Sequence, residues 1–225
     1  HLTRERIRQI EKDGLTKLRS ITPPENFRRL SDLIFQYIEV RGNVAHEDQI
    51  LSSILGERIR TMAKQCILFI LHASAQFALL KTSEKYHQSW YIAGLDTEQI
   101  DSLTQYTVQI LRETKKSLPL SVLLEKLRPM LSATDLDTLS DDAIESYLSV
   151  SKTIGRNPYD EFGLAQWSEI KPRDVGDKAF LVLSHLGKPE HYSKITELVN
   201  KRAFDARIAH KESVHNELIK DNRFV

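Results

Sequence analysis

Apolar residues in this chain recur mostly at the three-to-four spacing of helices, and alternate only in short stretches. Ile7, Ile10, Leu15 and Leu18 outline a short N-terminal amphipathic helix, with Arg4, Glu5, Arg8 and Gln9 on its other side and Thr3 placed to cap it. After the break at Pro23-Pro24, the pattern predicts a helix over 25–40, a link at Gly42-Asn43-Val44, and helices over 46–55 and 57–73. Residues 77–80 and 89–92, split by a charged turn, predict a β-hairpin.

That order returns twice. Residues 96–116 predict a helix with Ile100, Leu103, Val108 and Leu111 inward. The link Ser117-Leu118-Pro119-Leu120 follows, then helices over 121–131 and 141–154, a turn at 155–158 and a strand-like segment over 162–167. Near the C-terminus, helices are predicted over 179–186, 194–200 and 211–220, with strand-like Arg223-Phe224-Val225 after them. Both later copies place a Pro-bearing link and a serine cap, Ser121 or Ser193, before the second helix. Helix, link, helix, helix, strand is the order of a winged helix, and recurrence at this length predicts tandem units. The fold class expected is mainly α with short β-hairpin wings. Tandem winged-helix units over 23–94, 95–170 and 171–225 would follow a truncated helix-turn-helix recognition helix over 1–22. One continuous α-helical domain with incidental strands is the alternative.

With 225 residues and 40% hydrophobic content the chain has material for globular cores. No apolar run approaches the roughly 18 residues of a membrane span, and charges interrupt the start too often for a signal peptide. Cys66, inside the run Cys66-Ile67-Leu68-Phe69-Ile70, reads as a buried thiol in a reducing compartment, the cytoplasm. Charge is segregated. Residues 1–30 carry eight Lys/Arg against four Asp/Glu and residues 171–225 eleven against eight, while 31–170 carry thirteen against nineteen. Basic ends flanking an acidic centre suit nucleic acid at the ends and protein or solvent in the middle.

The segment Thr3-Arg4-Glu5-Arg6-Ile7-Arg8-Gln9-Ile10-Glu11 resembles the recognition helix of region four of bacterial primary sigma factors, which reads a promoter element. The resemblance implies that Arg4, Glu5 and Gln9 reach base edges and that Arg6 and Arg8 hold phosphates. These side chains also suit such a helix chemically, arginine matching guanine or phosphate, glutamate cytosine and glutamine adenine. Only His1 and Leu2 precede the segment. The bracing helix that a helix-turn-helix needs is therefore expected to lie outside this sequence. The competing reading is a charged surface helix.

From Trp167 onward the sequence resembles a HARE-HTH winged-helix domain, shared by the RNA polymerase delta subunit, restriction systems and chromatin factors. The resemblance rests on Asp177-Lys178-Ala179-Phe180, Gly187-Lys188-Pro189, His191-Tyr192-Ser193-Lys194-Ile195, Val214-His215-Asn216-Glu217-Leu218 and Asp221-Asn222-Arg223-Phe224-Val225. Together with the N-terminal segment it is similar to bacterial sigma-factor-like helix-turn-helix proteins. In such a domain the third helix enters the major groove. Lys211, Ser213, His215, Asn216 and Lys220 then become DNA-facing, with Arg223 at a wing expected to be incomplete. Glu212 and Glu217 dilute that positive face and keep a protein-docking helix open as the alternative. The acidic 141–154 helix, with Asp141, Asp142 and Glu145, favours protein contact.

No enzyme, catalytic residue, metal or cofactor is expected. Asp160, Glu169 and Lys171 loosely match a metal-nuclease spacing. His210 and His215 are off the i, i+4 spacing of a helical zinc pair, and His46-Glu47-Asp48 suits a cap. The aromatic residues Phe77, Trp90, Phe162 and Trp167 read as core or wing. The partners expected are double-stranded DNA and the RNA polymerase core, without a membrane.

Overall fold

A computed structural model describes residues 3–56, 61–202 and 204–224. These residues are mainly helical, with two three-stranded antiparallel sheets among them. Two compact units form: the first comprises 1–104 and 131–152, the second 105–130 and 153–225. Both are discontinuous in sequence, whereas the repeat pattern suggested consecutive segments.

In the first unit, α1 (Arg4–Ser20) precedes α2 (Glu25–Glu39), β1 (Val44–His46), α3 (Glu47–Leu55), α4 (Thr61–Ala73), β2 (Ala78–Leu80) and β3 (Ser89–Tyr91). The strands pair in the order β1-β3-β2, with Ala45 and Leu79 both opposite Trp90. α2 sends Ile34 and Ile38, one turn apart, into a core with Ala45, Leu51, Leu71 and Trp90. Gly42 (φ +72°) and Asn43 (φ +69°) reverse the chain from α2 into β1. His46 ends the strand and caps α3, its Nδ1 accepting from the Asp48 amide at 3.2 Å. The indole Nε1 of buried Trp90 donates to Glu47 Oε2 at 2.9 Å, which satisfies its one polar atom.

α7 (Asp141–Val150) also belongs to this unit. Ser140 caps it, accepting from the Ala143 amide at 3.1 Å. Ala143, Ile144, Ser146, Tyr147, Leu148 and Val150 are buried, and the helix packs on β1. Ser146 Oγ donates to the Val44 carbonyl at 2.6 Å and the Tyr147 hydroxyl to the Gly42 carbonyl at 3.1 Å. The 81–88 segment takes up the next residues: the His87 amide donates to the Val150 carbonyl and the Lys152 amide to the Lys85 carbonyl.

α5 (Thr97–Thr114) contributes residues to both units. The second unit contains β4 (Leu118–Pro119), most of α6 (Leu120–Leu131), β5 (Ile154–Arg156), β6 (Glu161–Leu164), α8 (Val175–Leu186), α9 (Tyr192–Arg202) and α10 (Lys211–Lys220). Its strands pair in the order β4-β6-β5, with Leu118 opposite Phe162 and Ile154 opposite Leu164. Helices α8, α9 and α10 pack on one another around Ala179, Val182, Ile195, Val199 and Val214. Asp174 caps α8, and Gly187 closes it with a left-handed residue (φ +66°), as a helix C-terminus favours.

Several expectations need correction. The helix expected over 141–154 stops at Val150, and 154–156 is a strand. Ile154 lies one turn beyond Val150, so helical periodicity continues across a chain that has turned extended. The 42–44 link contains the start of β1. The strand-like segment over 162–167 ends at Leu164. Residues 221–224 form a turn rather than a wing strand, and Val225 lies outside the described residues, as does the Glu57 start of the third predicted helix. Cys66 is exposed, not buried.

Candidate nucleic-acid interface

α1 forms as its sequence dictates, with the Thr3 hydroxyl accepting from the Arg6 amide at 3.2 Å. None of its residues is buried and Ile7 and Ile10 are 54% and 48% exposed, while the C-terminal part of the helix lies against α4. Arg4 and Arg6 are exposed. Arg8 and Glu5 form a two-point pair, Nη2 to Oε1 at 2.6 Å and Nε to Oε2 at 3.0 Å, which lowers the Glu5 pKa and raises that of Arg8. Such an exposed pair is worth little and opens readily toward a competing phosphate or base. Half-buried Gln9 donates to Asp13 Oδ1 at 3.0 Å.

In α10, Val214 is the anchor: it is fully buried, with Leu218 packed beside it. Lys211, Ser213, His215, Asn216 and Lys220 are exposed. His215 packs edge-on to Tyr192 with ring centroids 4.8 Å apart, and Lys220 lies 3.9 Å from Glu217. The face is polar and mixed in sign.

Arg223 departs from its expected role. Its Nη2 lies 2.6 Å from Asp221 Oδ2 and 2.9 Å from Asp177 Oδ1, and the guanidinium sits over the Phe180 ring at 4.9 Å. Asp221 first and then Asp177 raise its pKa against burial, and the Asp221 carboxyl is lowered in return. Two carboxylates offset the charge that a wing phosphate contact would need, and among the described residues no strand after α10 presents it. Arg223 ties the turn after α10 to the start of α8.

Asp160 pairs with Arg156 at 3.2 Å, while Glu169 accepts from the Ser117 amide at 2.9 Å. The loose nuclease spacing thus points its carboxylates at different partners. Among the described residues no group of three His, Cys, Asp or Glu converges as a metal site, and no helix is long and apolar enough to cross a membrane.

One polar network escaped sequence reasoning. Glu161 accepts from Ser117 Oγ at 2.7 Å and Asn157 Nδ2 at 2.9 Å, and pairs with His185 Nε2 at 3.0 Å. His185 Nδ1 donates to the Leu181 carbonyl at 2.9 Å, and its ring stacks on Tyr159 at 3.6 Å. Burial alone would raise the Glu161 carboxyl, but the hydrogen bonds from Asn157, Ser117 and His185 with the charge of His185 hold it below the usual value. The network joins the β5–β6 hairpin to α8 across a separation no local motif encodes. No family model, curated protein or solved structure matches the chain significantly.

Proposed function

We propose that the chain is a DNA-binding transcription regulator, sigma-like in its N-terminal helix, that acts at promoters with RNA polymerase in the cytoplasm, on the nucleoid. It has no catalytic role in this reading. The observation that carries it is exposure: of the ten DNA-facing candidates other than Arg223, nine are exposed and Gln9 is half-buried. Arg4, Glu5 and Gln9 would read bases while Arg6, Arg8, Lys211 and Lys220 neutralise phosphates. Support for winged-helix units comes from the helix–strand–helix–helix–hairpin order, which occurs twice with the first strand beside the third.

The test is fluorescence anisotropy with promoter-like duplex DNA at two salt concentrations. The Arg4→Ala/Gln9→Ala/Lys211→Ala variant should bind at least about ten-fold more weakly, with a shallower salt slope. Equal affinities, or no binding at low salt, would remove the reading. A second reading, a winged-helix protein-interaction scaffold with little DNA affinity, is favoured by one observation: the outward face of α4 is apolar, with Met62 78% and Phe69 51% exposed.

A further inference from the structure

α4 occupies the third-helix position in the first unit, yet Met62, Cys66 and Phe69, at i, i+4 and i+7, form its outward stripe. Two surface depressions meet along that stripe. One, of about 600 Å³, is walled by Leu18, Ile21, Pro23 and Pro24; the other, of about 440 Å³, by Leu30, Met62 and Cys66. They share Phe27 and Phe69, whose rings meet edge-on at 6.5 Å. The result is a continuous apolar groove, the shape that takes an apolar helix face with anchors at i, i+3 or i+4 and i+7.

The groove's charged lining selects among occupants. Arg19, Arg28 and Asp32 are its only charged residues among those described. Arg19 is held at the rim by its donation to the His72 carbonyl at 2.8 Å. The rim is therefore net positive beside an apolar floor. Nucleic acid is disfavoured by that floor. The exposed amphipathic helix of a second copy, α1, carries six Lys/Arg against three Asp/Glu and would set net positive charge against the rim. We propose that this groove binds an amphipathic helix of another protein, with aliphatic or aromatic anchors on one face and Asp or Glu along its flanks. This goes beyond DNA reading and does not depend on it.

The test uses the whole chain and a fluorescein-labelled helical peptide of about 18 residues, Leu at i, i+4 and i+7 in a Glu/Ala background, with a Lys-for-Glu control. The Glu peptide should bind, and the Lys peptide should bind about ten-fold more weakly. Met62→Glu, at a position 78% exposed, should reduce Glu-peptide affinity about ten-fold without shifting the thermal midpoint. Arg28→Glu should invert the preference between the two peptides. No binding of the Glu peptide, equal binding of both peptides, or insensitivity to Met62→Glu would overturn the proposal. So would self-association of the chain abolished by Met62→Glu, because the occupant would then be a second copy.

Discussion

α7 and α10 each follow two helices in the repeating order, and each is ten residues long, yet they meet opposite fates. α7 buries six side chains and gives its hydroxyls to backbone carbonyls of β1 and the turn before it. α10 buries Val214 alone and leaves Lys211, Ser213, His215, Asn216 and Lys220 in solvent. Place in a helix order therefore assigns no role. A helix whose polar atoms are consumed by its own unit cannot enter a groove, whatever its position. The difference lies in composition: Ala143, Ile144, Tyr147, Leu148 and Val150 give α7 a wide apolar face, whereas α10 has a single narrow apolar stripe.

The comparison breaks most sharply at Gly42. A Cβ there would stand 2.8 Å from Tyr147 Cε1 and 2.9 Å from the Ala143 Cβ, on a backbone with φ +72°. Gly42→Val combines about 1 kcal/mol of left-handed strain with about 1–3 kcal/mol of overpacking. A loss of roughly 3 kcal/mol is expected, or a midpoint drop on the order of 10 °C. Hydrogen exchange should show α7 and β1 amides losing protection together. Unchanged α7 protection would mean that the helix is not built into β1.

Much of this contrast was legible in the sequence. The outward positions of α10 and the Thr3 and His46 caps follow from spacing and cap chemistry. Ser121 and Ser193, expected as caps, lie inside α6 and α9, and the serine that caps α7, Ser140, was not singled out. The acidity of Asp141, Asp142 and Glu145 argued against DNA for α7. What was not legible depended on partners distant in the chain. Cys66 opens an apolar run and reads as core, because periodicity finds a face without saying whether anything covers it. The Glu161–His185 link spans 24 positions, and the Arg223–Asp177 pair 46. No local pattern records such pairings, and the second converts a candidate phosphate contact into a structural tie.

The support beneath α10 can be weakened by a smaller amount. The carboxyl of Glu161 lies below its ordinary 4.5 in the folded chain. Its contribution is therefore fully present above pH 4.5 and is lost as pH falls through the lower, folded value. Glu161→Gln removes the charged acceptor for Ser117, Asn157 and His185 and should cost about 1–2 kcal/mol at pH 7. Urea midpoints should show that gap closing on acidification below pH 4.5. A gap that stays constant down to pH 3 would show that the carboxylate charge contributes nothing.

The smallest effect separates two cations at the end of the chain. Lys211 is exposed in the first turn of α10, so on the DNA-reading proposal Lys211→Ala should lower the salt slope by about one counterion and weaken binding a few-fold. Arg223 already faces Asp221 and Asp177, so its field toward a phosphate is largely cancelled. Arg223→Ala should leave DNA affinity within about two-fold, with the salt slope unchanged. It should instead cost about 1 kcal/mol of stability, because Asp177, nine-tenths buried, loses a partner in a part-exposed pair. If Arg223→Ala lowered the salt slope as much as Lys211→Ala does, the two carboxylates would have to release the guanidinium on binding, and the turn after α10 would belong to the DNA face after all.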